Sequence, residues 1–478
     1  MNIYNMKKDK VIDIDLSNNY AEVERTITEF LNKEYKEYTF YVLANRALPS
    51  LIDGLKTGAR KIIHAAFNGG LKNGGNKKLL NLSGDTLNLS LYPHGDSSLN
   101  GTIITLSQPF KFNCNPLECD GQVGSLRSPK SVSAPRYLYV KLSEFSELWK
   151  ADIELTNQIF DEGQYVEPEN YLPIIPTVIL NRQEGMAPGY KFSTMSYNPK
   201  DVVECCIDFI KNKCKDESTN GFVLHPYIRE YDNKLWKVND DGKWVSDGKF
   251  SLDLKRDRVE ITMFPYDTDF EGFEKYLNKL IEKNRIKDWK NFSEGSDIKY
   301  IIQFNKGELA KLGKRKTVNS HICNLFKLTK VVPEDLLWVL DENNKIRHFQ
   351  TPQQLIEYFV KYRLNIYNDR KSRLVKILED RYEKNSLLVK FIELVCKGKL
   401  KIRNRSKVDI KVDMDGYKLP MNLIGTPMSK CTIEERDELL KENEAIKKEL
   451  DYIKKTTIQQ MYLNDLEELK KKFEKEFK

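Results

Sequence analysis

One short run carries the residues best suited to covalent chemistry. Ser133-Ala134-Pro135-Arg136-Tyr137 sets a guanidinium directly before a phenol. A phenol has an ordinary pKa of about 10, so it attacks phosphorus or carbon only when its proton is taken and charge on its target is neutralised. An adjacent arginine can supply that neutralisation through charge-assisted hydrogen bonds. With 24 tyrosines in the chain, the dipeptide alone does not separate a nucleophile from core or surface filler. Its setting raises it. Upstream lie Arg46, Lys56, Arg60 and Lys61 and the helix-start sequence YPHGD (Tyr92 to Asp96), the pieces of a module that grips a phosphate backbone.

The elements that must hold these residues can be read from punctuation and period. RALPSLIDGLKTGARKIIHAAF (Arg46 to Phe67) has Pro49, Gly54 and Gly58 as breaks, then a helix with Ile62, Ile63, Ala66 and Phe67 inward. A short helix follows around Leu79 to Leu89, and another over Ser97 to Gln108 with Asp96 as its N-cap and Pro109 as its stop. With the strand-like YLYVKL (Tyr137 to Leu142) and the turn at Asp120 to Gly124, this is the outline of a winged helix-turn-helix. Further on, KLWKV and KWV flank Asn239 to Gly242 as a hairpin, RVEITMF alternates as a strand, and Phe270, Phe273, Tyr276, Leu277 and Leu280 mark a helix. From Thr351 the pattern becomes long and helical (Leu355, Phe359, Tyr362, Ile366, Leu374, Ile377), and Leu439, Ile446, Leu450 and Ile453 repeat it near the end. An antiparallel coiled coil that turns through a small globule with strand-like pieces fits this best; an ordinary helical bundle is the alternative.

The expected class is therefore α+β multidomain. An N-terminal arm covers 1–34, a winged-helix domain with the tyrosine 35–165, a mixed α/β domain 166–350, and a coiled coil 351–478 with its globule at about 397–430. Lysine and arginine total 78 against 70 acids, so at +8 the placement of charge matters more than its sum. The longest apolar run, Ile174 to Leu180, contains Pro176 and is too short to cross a bilayer. Eight cysteines without a CxxC pair, and five histidines without zinc spacing, predict reduced thiols and no histidine-rich metal centre in a cytoplasmic protein. Asp13/Asp15, Asp267/Asp269 and Asp413/Asp415 are DxD pairs by letter only.

Six ordered blocks carry a resemblance: LPSLIDGLKTGARK, SLYPHGDSSLNGTIITLSQPF, DGQVGS, SAPRY, VEPENYLPIIPTVIL and EGMAPG. Through them the chain resembles the breakage-reunion part of type IIA DNA topoisomerases, nearly end to end. The resemblance implies that Tyr137 bonds to a 5′ phosphate and frees a 3′ hydroxyl, that Arg136 steadies the crowded phosphorus, and that the middle and the tail are the family's tower and exit gate. It implies a backbone grip by Arg46, Lys56, Arg60 and Lys61 and by the Tyr92 to Ser98 turn, with Tyr92, His94 and Ser98; a solvated basic face is the alternative reading of these cations. Met186 falls where the family has an isoleucine that wedges between base pairs, and Pro188 replaces a familiar threonine. The stretch from Gly124 to Arg136 looks a residue short, which leaves open whether Arg127 or Lys130 reaches a phosphate.

The family's ATP-binding signature and its EGDSA-like metal site are not found in this sequence. The resemblance then implies that Mg²⁺ and ATP are held by a partner subunit, that two copies of this chain pair through winged helix and gate, and that double-stranded DNA is bound as two segments. Without a β-rich tail after the coiled coil, relaxation and decatenation are expected rather than wrapping. The medium subunit of T-even-like bacteriophage topoisomerases is the form it most resembles, with an excised domain of a larger enzyme as the alternative. A non-catalytic winged-helix architectural dimer is the competing class, and a structural coiled coil without DNA affinity is a third.

Overall fold

The structure is a computed structural model that describes residues 26–477, apart from 73, 295–296, 312–314, 333–336, 403–404 and 428–430. Residues 1–25 of the expected arm, including Asp13 and Asp15, lie outside the described residues. The arm is helical through Ile27–Phe30, Leu31–Tyr35, Lys36–Val42 and Leu43–Ala47. A capping box starts it: Thr26 accepts from the Glu29 amide, and the Glu29 carboxylate accepts from the Thr26 amide.

Three helices follow, Thr57–Asn68, Leu79–Ser90 and Asp96–Leu106. The first is buried through Ile62, Ile63, Ala66 and Phe67. Against them lies a three-stranded antiparallel sheet whose central strand is Tyr139–Leu142, between Lys77–Lys78 and Leu117–Asp120. Asp96 is not the N-cap; Gly95 is, and the Asp96 carboxylate accepts from the next amide, that of Ser97.

The main apolar core runs from Leu43 through Trp236 and Tyr266, then resumes at Leu337 and takes in the C-terminal helix to Phe477. A second core is smaller. It is built on a four-stranded sheet in the order Lys249–Asp253, Arg258–Met263, Tyr300–Gln303, Asp288–Asn291, with the helix Phe270–Glu282 packed on it through Phe273, Leu277 and Leu280. The separate unit is thus narrower than the 166–350 expected, because Tyr171 to Ile228 and Leu337 to Phe349 pack with the first core. The hairpin around Asn239 to Gly242 pairs Trp236–Val238 with Trp244–Asp247, and Thr329–Val331 adds a third strand.

A single 45-residue helix, Pro352–Cys396, leaves the main core and is met by Ile433–Lys455. Lys454 pairs with Glu379 and Asn443 donates to Ser386, so rising numbers on one helix meet falling numbers on the other. Leu378, Ile446 and Ile453 are buried along this seam. The returning helix does not run to the end. It stops at Lys455, and Thr457 caps a new helix, Ile458–Glu476, by accepting from the Gln460 amide. At the far end, KVDIKVDM alternates like a strand but forms the helix Lys407–Gly416, since Ser406 caps it and Ile410 and Met414, four apart, are the buried pair.

Because the seam between the paired helices is isolated from the main core, Ile446→Ala should remove about 2–4 kcal/mol from that segment alone. Native-state hydrogen exchange should show faster opening between residues 374 and 453, with the rates around Ile62 and Val140 unchanged.

Candidate nucleic-acid interface

Asp53 organises the loop that precedes the helix Thr57–Asn68. It is fully buried; its carboxylate accepts from the Leu55 amide (3.0 Å), Arg60 Nε (2.6 Å), Arg60 Nη2 (3.0 Å) and the Tyr171 amide (3.1 Å). Its carbonyl accepts from Trp149 Nε1 and Thr177 Oγ1. Gly54 takes φ +65°, and a Cβ there would sit 2.6 Å from both Thr177 Oγ1 and the Val178 amide nitrogen, so no other residue suits the turn that releases Lys56.

Lys56 emerges from that turn and donates to the Glu184 carbonyl at 2.6 Å. Burial lowers its pKa, with Glu184 partly offsetting the effect. Arg46 Nη2 lies 3.4 Å from His94 Nδ1, and Tyr92 meets His94 edge to face at 5.4 Å. These residues, with Lys61 and Ser98, line one groove of about 1460 Å³. The outer face of the helix Asp96–Leu106 presents Ser97, Ser98, Gly101, Thr102 and Thr105, small uncharged side chains that let a backbone approach.

Two of the expected cations are placed otherwise. Arg60 is buried and held bidentately by Asp53, which raises its pKa despite the opposing effect of burial. The Lys61 ammonium lines the groove but is buried between Glu167 (2.7 Å) and the Ser90 carbonyl (2.5 Å). Each sits where an acid distant in sequence or in an earlier turn claims it, so the pair braces the groove floor rather than facing outward. Beneath them, burial and Lys61 push His64 down to about 4.

Tyr137 and Arg136 stand elsewhere. They close a tight helical turn, Pro135–Tyr137, where the Tyr137 amide donates to the Ala134 carbonyl, and Tyr137 is 69% exposed. Leu138, fully buried, anchors the turn: the Leu79 amide donates to its carbonyl at 2.9 Å. Gly121, at φ +117°, passes so close that a Cβ would lie 2.7 Å from Leu138 Cδ2. Tyr137 is therefore held at the start of the helix Leu79–Ser90, and the groove residues Tyr92 and His94 follow its end. At 1.5 Å per residue those 12 residues separate the two by about 18 Å.

Met186 is 77% exposed on the hairpin Glu184–Ala187/Tyr190–Ser193, where it pairs with Lys191. A Cβ on Gly185 would fall 1.9 Å from the Ala47 carbonyl, so the hairpin base is seated directly beside Arg46. Sequence reasoning passed over Arg182, Glu184 and Asp267, which also line the groove. Arg182 bonds to Glu184, Tyr266 and Asp267, and these partners raise its pKa although burial opposes them. Asp267 was legible only as half of a DxD pair; it is engaged by Arg182 and Lys330, and Asp413 by Arg405.

A family model described as DNA gyrase/topoisomerase IV, the A subunit, matches residues 46–469. The chain belongs to that family. It is 28% identical over 98% of its length to DNA topoisomerase 2, mitochondrial, of Dictyostelium discoideum, and 29% identical over 80% to DNA topoisomerase 2-beta of Gallus gallus. It spans 36% and 23% of those two relatives. The fold is similar to the DNA-binding, cleavage and re-ligation domain of Plasmodium falciparum topoisomerase II, with a TM-score of 0.81 at 26% identity, covering 94% of this chain and 64% of that one.

Proposed function

We propose that this chain is the breakage-reunion part of an ATP-dependent type II DNA topoisomerase. The observation that carries the reading is the exposed Tyr137 beside Arg136 on a tight turn, in a chain where Arg46, Lys56, Lys61, Tyr92, His94 and Ser98 line one groove. The Tyr137 oxygen attacks a backbone phosphorus: the phenolic proton leaves, an O–P bond forms, the bond to the 3′ oxygen breaks, and that oxygen takes up a proton as a hydroxyl. Arg136 meets the extra negative charge. The ester keeps the energy of the broken bond, so the hydroxyl can attack back and reseal the strand. Passage of a second duplex through the gap gives relaxation and decatenation.

The reading includes a homodimer. The separation between Tyr137 and its own groove is what a site shared by two copies needs, one lending the nucleophile and the other the grip. The three helices and their sheet act as a winged helix, Met186 as the wedge that bends the duplex, and the paired helices as a coiled-coil gate. Val408 and Val412, exposed at 72% and 65% on the outer side of their helix, suit contact with a second copy there. On this reading Mg²⁺ and ATP are held by a partner protein, and the groove carboxylates Glu184 and Asp267 are paired with Arg182. The phage medium-subunit form is part of this reading. No described helix is long and apolar enough to cross a membrane.

The test is to mix the full chain with an ATPase subunit, Mg²⁺ and supercoiled plasmid and to look for a denaturant-stable adduct joined to 5′ ends. Tight binding without an adduct would favour the architectural dimer. Groove contacts are checked separately: Arg46→Ala and Lys56→Ala should each lower the slope of log affinity against log salt by about one. Fluorescence anisotropy titrations across salt would measure this, and unchanged slopes would remove these cations from the interface.

A further inference from the structure

The hairpin that carries Met186 is short; its second strand packs through buried Phe192 and through Tyr190 edge to face on Trp338 at 5.1 Å, but the first strand, with Met186 exposed, would have to withstand the restoring force of a bent duplex. On one side Gly185 is seated on Ala47. On the other a line of alternating charges runs into the middle of the chain. Arg182 Nη2 donates to Glu184 Oε1 at 2.5 Å, and Nη1 donates to Asp267 Oδ1 at 3.1 Å and to the Tyr266 hydroxyl at 2.9 Å. The guanidinium lies 4.8 Å from the centre of the buried Tyr266 ring. Lys330 then holds Asp267 from behind, through its carbonyl at 2.9 Å and its carboxylate at 3.0 Å. Lys330 belongs to the strand Thr329–Val331, locked in a sheet with Trp244–Asp247.

We propose that Arg182 and Asp267 are positioning residues, a brace anchored by Lys330 that keeps the Met186 hairpin from yielding when the duplex is bent. The inference rests on the wedge reading of Met186 given above. Charge-assisted bonds with one partner on an aromatic face suit this task because they resist displacement in several directions.

Two duplexes test it with the full chain: a straight one and one pre-bent by a central bulge, both end-labelled for energy transfer. Asp267→Asn should weaken binding to the straight duplex by about tenfold relative to the pre-bent one, the scale of one charge-assisted hydrogen bond, and should reduce the bend. Simple electrostatics predicts the opposite, since removing an acid from the groove wall should tighten binding to both equally. Lys330→Gln, whose charge anchors the far end of the brace, should act in the same direction as Asp267→Asn. An unchanged straight-to-bent affinity ratio in both variants would overturn the brace. Met186→Ala separates the two ideas: if it leaves the bend intact, the wedge reading itself fails; if it abolishes the bend while the brace variants keep the wild-type ratio, only the brace fails.

Discussion

Tyr137→Phe should abolish the denaturant-stable adduct and lower relaxation by at least about 10⁴-fold, because it removes the one atom that bonds to phosphorus and nothing else. The ring remains, and since the side chain is exposed and its neighbours Pro135 and Leu138 hold the turn through backbone, thermal stability should stay within about 0.5 kcal/mol of wild type. DNA affinity should change little, as the proposed grip lies in Arg46 and Lys56. Denaturing gels of trapped complexes and anisotropy on the same preparation give both readouts. An adduct formed by the variant would reject Tyr137 as nucleophile.

Asp53→Ala should be the most damaging single change to stability, costing about 3–5 kcal/mol. It leaves the Arg60 guanidinium buried without its partner and strips acceptors from the Leu55 and Tyr171 amides at once. Removing both charges with Asp53→Asn/Arg60→Met should cost less than Asp53→Ala, since no buried charge is then orphaned. Because the described residues form more than one core, the comparison belongs to the unfolding transition followed through Trp149, whose indole donates to the Asp53 carbonyl, rather than to a global midpoint. A double variant as unstable as the single one would show that the ion pair is not the source of the effect.

Much of the groove was legible because its residues are placed by local sequence. Tyr92 and His94 sit in one turn beside a helix start, Lys56 leaves a glycine turn, and SAPRY places proline at the start of a tight turn and an apolar anchor after it. What local sequence does not carry is partnership. Arg60 and Lys61 read as groove cations, and nothing near Lys61 announces that Glu167 will reach it from over a hundred residues away. Arg182 and Asp267 are 85 residues apart and meet only in the folded chain. The same applies to fold. KVDIKVDM alternates, but a serine cap and an apolar pair four apart outweigh alternation in an isolated globule. The periodic returning helix gave no hint that adjacent threonines would end one helix and cap the next.

The long helix is fixed at its root. Tyr367 stacks on Tyr462 at 4.7 Å, and Arg370 is shared by Asp152, next to the first module, and Asp465 on the last helix. Beyond Tyr367 the rod continues to Cys396, roughly 43 Å at 1.5 Å per residue. Such a boom magnifies angle into distance: a tilt of about 10° at the clamp swings its tip by roughly 8 Å. A change of angle among those aromatic and charged side chains would thereby be enlarged several-fold at the opposite end of the rod.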